Sequence, residues 1–135
     1  MQWLVVLALV LDLGTVKNEP KLEKRSELAL QYANSALDTA KTAYQEGRFE
    51  KTQEALGQVK DAVTLSYDSL IATGKNPRKS SGAFKNAEKA TRELLRRLLG
   101  FRDVMSVVDH PVVDPVVEDV KEVHDQLLTG IMTGK

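Results

Sequence analysis

From Ser81 to Asp109 the chain carries its longest stretch of helix-compatible sequence with one oily side, and this stretch constrains everything around it. Phe84, Ala87, Leu94, Leu95, Leu98, Phe101, Met105 and Val108 recur at spacings of three and four, which places them along one side of an α-helix. Lys85, Lys89, Arg92 and Arg96 follow the same period about half a turn away. A helix with one apolar and one cationic face has to dock against something.

The neighbouring sequence supplies partners of the same kind. Leu22, Ala29, Ala36 and Ala43 repeat every seven residues, as do Leu30, Leu37 and Tyr44, with Ala33 and Ala40 beside them. This predicts a helix over about 21–45 whose alanine stripe lets another helix approach closely, with Pro20 in its first turn. Gly47 offers the left-handed conformation that ends helices. A second helix follows over about 48–73, with Ala55, Leu56, Val59, Ala62, Val63, Tyr67, Leu70 and Ile71 inward, and the short connection makes the two an antiparallel hairpin.

Gly74 to Gly82 reads as a loop from its glycine, proline and serine content, with Ser80 or Ser81 as cap of the third helix over 82–109. His110-Pro111 is expected to end that helix. Asp114-Pro115 is expected to start a fourth over 115–130, with Val116, Val120, Val123, Leu127, Leu128 and Ile131 inward. With 135 residues there is room for one core. The expected fold is all-α: an up-and-down antiparallel four-helix bundle over 21–135, a linker at 15–20, and a short apolar N-terminal segment at 1–14.

That segment, Trp3 to Leu13, is shorter than the roughly 20 residues needed to cross a bilayer. Its length suits the apolar core of a signal peptide, although Met1-Gln2 brings no basic side chain, Asp12 interrupts the run, and no Ala-x-Ala site follows. Two readings stand. Either it directs export, making the protein periplasmic or secreted, or it packs on the bundle of a protein that stays in the cytoplasm.

Cysteine is absent, which excludes disulfides, thiolate metal sites and cysteine nucleophiles. The 19 basic and 19 acidic residues cancel, so no global field recruits a polyanion. Locally the charges separate. Lys75, Arg78, Lys79, Lys85, Lys89, Arg92, Arg96 and Arg97 face only Glu88 and Glu93 between positions 75 and 97. Between 103 and 125, seven acids face Lys121 alone. Antiparallel packing of the third and fourth helices would bring the two blocks together.

The two histidines are the natural places to seek a reactive or metal site. His124 has Glu122 two residues away and Lys121 three before it, so the Glu-x-x-His unit of di-iron bundles is missing. His110 precedes a proline and suits a helix end. Arg102 and His110 look like the paired residues of all-α ribonucleases of the HEPN type, but at a longer spacing and running into a proline break. Tyr44, Gly47, Arg48, Phe49, Ala55 and Leu56 resemble the hairpin of a tetratricopeptide repeat, but the repeat period does not recur, so the resemblance implies a mode of helix packing and no peptide ligand.

No catalytic, cofactor-binding or metal-binding residues are assigned, no cofactor is expected, and no small-molecule substrate is apparent. The expected function is that of a non-catalytic scaffold or adaptor with a protein partner, a second copy of itself included. The alternative is a polyanion-binding module, for nucleic acid or anionic lipid, that uses Lys75, Arg78, Lys79, Lys85, Lys89, Arg92 and Arg96.

Overall fold

The computed structural model describes residues 12–80 and 82–135, and these form helices joined by short connections, with no strand among them. A short helix α1 (Leu13–Lys17) precedes four long ones: α2 (Leu22–Gln45), α3 (Phe49–Ala72), α4 (Gly82–Val104) and α5 (His110–Thr133). The apolar run read as a leader or packed helix falls mainly on residues 1–11, outside the described residues, as does the Ser81 cap.

The stretch expected to be a linker holds α1. Asp12 caps it by accepting the Thr15 amide at 2.8 Å, and this hydrogen bond, with one from the Thr15 hydroxyl, holds the carboxyl below its usual range. Val16 is buried where α1 meets α2 and α3. Pro20 stands outside α2, whose N-cap is Lys21.

The alanine stripe does what its period suggests. Ala29, Ala33, Ala36 and Ala40 are buried, as are Ala55 and Ala62 opposite, and α2 and α3 make the most extensive pairing among the described helices. Between them Gly47 adopts φ 73°, which a residue with a Cβ would resist. Leu37, Leu56, Leu70, Phe84, Leu94, Leu98 and Leu127 close the core; enclosing one such leucine contributes about 1.5–3 kcal/mol.

Two helix ends differ from expectation. The third long helix stops at Val104, five residues before Asp109, and the chain turns through Ser106 and one 3₁₀ turn, Val107–Asp109. Val108, expected inward, is 82% exposed. The last helix starts at His110, earlier than Asp114-Pro115 suggested, and runs through Pro115. Pro111 already fits its first turn, so the proline pair brackets one helical turn and does not break the helix. The early start buries Val113 on the core face below Val116, Val117 and Val120. Asp114 is therefore no cap; it pairs with Arg102 across the turn, Nε to Oδ1 at 2.6 Å. Ile71, also expected inward, is half exposed.

Chain direction alternates from α2 to α5, as an up-and-down bundle requires. Within each hairpin, α2–α3 and α4–α5, neighbours are antiparallel. Across hairpins, α2 lies along α4 and α3 along α5, with the α3–α4 pair only lightly in contact. These cross-hairpin pairs run in the same direction because chain direction alternates, and they are neighbours because the connection after α3 passes over the diagonal of the bundle. Pro77 in that connection rests against Gly130 of α5, where a Cβ would come within 3.2 Å of its ring.

Candidate interaction surface

The basic row keeps its helical period and faces water: Lys85, Lys89, Arg92 and Arg96 are all exposed along α4, and Lys75, Arg78 and Lys79 are exposed in the connection before it. Three of the seven are paired close to home. Lys75 Nζ lies 2.8 Å from Glu23, Arg92 Nε 3.1 Å from Glu88, and Arg96 pairs with Glu93. Arg78, Lys79, Lys85 and Lys89 make no ion pair among the described residues. Arg97, counted with the basic block, points the other way and fastens α4 to α2 through Asn34 and Asp38.

Five of the seven acids sit on α5, beside α4, with Asp103 on α4 and Asp109 in the turn. Among the described residues the two blocks make no ion pair with each other; at the turn Arg102, outside the basic block, pairs with Asp114, and that hydrogen bond pushes the guanidinium pKa up. Farther along, contact between the helices is made by His124, whose Nε2 is 2.7 Å from Glu88 Oε2. Both side chains are 14% exposed, and Asp125 approaches the other ring nitrogen at 3.5 Å. Glu88 thus holds His124 and Arg92 at once. The two carboxylates address opposite ring nitrogens, so they do not converge on one point, and no group of three or more metal-ligating side chains is found among the described residues. Sequence spacing missed Glu88 because the pair joins two helices, and a single-helix ligand rule cannot find it.

Glu118, Glu122 and Asp125 are exposed along the outer side of α5. They do not reach the basic row of their own chain. Leu95 and Leu99 of α4, and Lys121 and Leu128 of α5, fall at helical spacings from Glu88, Arg102, Asp114 and His124, so they occupy the seam between the rows. Leu99 and Leu128 remain partly open to water.

The turn between α4 and α5 carries another exposed feature. Val104, Val107 and Val108 are 75%, 76% and 82% exposed. Phe49, at the start of α3, belongs to the same end of the bundle and is 40% exposed. The turn is held from beneath. Tyr44 of α2 donates its hydroxyl hydrogen to Asp109 at 2.8 Å, accepts the Ser106 amide at 2.8 Å, and meets Phe101 edge-on with centroids 5.7 Å apart. His110 begins α5 here, its Nε2 buried with no hydrogen-bond partner among the described residues.

At the opposite end, α2 and α4 diverge around a cleft of about 1140 Å³ lined by Ser26, Leu30, Asn34, Ala83, Ala87 and Ala90 among others. Its rim mixes Lys21, Lys24 and Lys75 with Glu23 and Glu27, so it concentrates no charge of either sign. None of the described helices is long and apolar enough to cross a membrane. Comparison with protein-family models, with curated proteins and with solved structures finds no match.

Proposed function

We propose that the chain is a non-catalytic helical scaffold that works by binding protein through the outside of its bundle. One observation carries this reading: three valines stand open to water on a turn that Tyr44 holds in place. Exposed apolar groups on a fixed backbone dock at little ordering cost, because their conformation is already the bound one. A photo-reactive residue placed at Val107 in the native host tests it. The expected result is one discrete protein adduct that disappears when Val104 and Val108 are changed to aspartate; a chain that yields no adduct is not acting as a scaffold through this turn.

Export belongs to the same proposal, with the apolar run Trp3–Leu13 as its leader. The intact mass of the mature protein decides it: a start after about Gly14 supports an extracytoplasmic scaffold, and a retained Met1 removes that part.

A second reading, polyanion binding, is favoured by Arg78 and Lys79 before α4 and Lys85 and Lys89 on it, four exposed cations that make no ion pair among the described residues. It predicts heparin or nucleic-acid binding at physiological salt that is lost when Lys85, Lys89, Arg92 and Arg96 are reversed to glutamate. Unchanged binding in that variant would discard it.

A further inference from the structure

We infer that the outer face of α4 and α5 is a self-association surface, on which the basic row of one copy lies against the acidic row of a second copy. The argument starts from register. Glu88 stands beside His124 and Arg102 beside Asp114, which fixes which residues of the two antiparallel helices are level. Counting from these pairs, Lys89, Arg92 and Arg96 are level with Asp125, Glu122 and Glu118. The rows therefore have matched lengths and opposite charges, on adjacent helices, pointing outward.

A two-fold axis parallel to the helices sets α4 of one copy over α5 of the other without changing any level. Lys89 then faces the partner's Asp125, Arg92 the partner's Glu122, and Arg96 the partner's Glu118, and symmetry repeats each match. Leu99 and Leu128, 43% and 39% exposed, lie in the seam and become covered. Lys121 in that seam and Glu93 beside Arg96 weaken the match without reversing it. The chain's net charge of zero means that two copies do not repel as wholes. Exposed ion pairs are individually weak and are screened by salt, so the dimer is expected to be favoured at low ionic strength and to dissociate as salt rises.

Self-association stands apart from the valine turn, which lies at one end of the bundle and stays uncovered in the dimer; either surface can fail without the other. Sedimentation of the full chain over a range of concentration and salt gives the first reading, and two charge-reversed variants give the decisive one. Lys89→Glu/Arg92→Glu/Arg96→Glu makes the matched positions of both rows acidic, and Glu118→Lys/Glu122→Lys/Asp125→Lys makes them basic. Each should retain the helical circular dichroism of the parent and self-associate at least about tenfold more weakly. Mixed in equal amounts they should form a one-to-one heterodimer, since the rows are again complementary. Should reversal disturb folding, replacing the same residues by glutamine gives a gentler loss of the same kind. A parent chain that stays monomeric at low salt overturns the proposal, as does a reversed variant that dimerises like the parent. A monomeric parent that instead binds heparin through these cations assigns the row to the polyanion reading.

Discussion

Tyr44 shows how much one side chain settles here. Its ring packs on Phe101 while its hydroxyl serves both Ser106 and Asp109, so one residue of α2 fixes where α4 ends and α5 begins. Tyr44→Phe keeps the ring contact and leaves an amide and a carboxylate to water. A loss of about 1–2 kcal/mol is expected by urea denaturation, in the range of one or two partly exposed hydrogen bonds. Tyr32 makes a different prediction. Burial first, then the nearby Asp12 and Glu54 charges, raise its pKa. The unfolded chain therefore releases this proton before the folded one does. The stabilising contribution is complete below about pH 10 and is lost as pH rises beyond it. Unfolding midpoints followed upward from about pH 9 should fall, and less steeply in Tyr32→Phe.

At the scale of helices, the interiors were legible in the sequence and some ends were not. Period alone placed Ala29, Ala33, Ala36 and Ala40 inward, because a buried face must repeat with the turn of the helix. Two prolines within five residues read as two breaks, which sets the start of α5 too late. Only the packing of Val113 and Val116 shows that one helix contains both. The end of α4 is illegible for the converse reason: Val108 continues the apolar period, yet the chain has already turned. The exposed basic row was read directly, but the Glu88–His124 pair was not, since its members lie 36 residues apart. Pro115 offers a test of the single-helix description. It removes one backbone donor from the second turn of α5 and is exposed. Pro115→Ala should stabilise by on the order of 2 kcal/mol, the interior cost of about 3 less the roughly 0.4–1 gained by restricting the unfolded chain. If α5 instead began at Asp114, the proline would sit in a favoured first turn and the change would be neutral or harmful.

For the molecule as a whole, the property hardest to read from sequence is which hairpin edges meet. Amphipathic periods say that four helices pack, and short turns say that α2 pairs with α3 and α4 with α5. A nine-residue connection can run along a side of the bundle or over its diagonal, and both routes bury the same faces. The diagonal route is written in contacts between helices of like direction: Arg97 of α4 on Asn34 and Asp38 of α2, and Lys60 of α3 with Asp119 of α5 at 3.4 Å. Because the chain has no cysteine, pairs of thiols can be introduced without background. A short bismaleimide should join Asp38→Cys with Arg97→Cys, and Lys60→Cys with Asp119→Cys, within one chain. It should fail to join Gln53→Cys with Asp103→Cys, which sit on the diagonal helices α3 and α4. A bundle whose connection followed one side would bring α3 beside α4, place both α2 with α4 and α3 with α5 on diagonals, and give the third cross-link in place of the first two. The face on which α4 and α5 present their opposite rows exists in either arrangement. Only the diagonal one places α2 beside the basic row and α3 beside the acidic row, so these cross-links also fix which helices flank the proposed contact between copies.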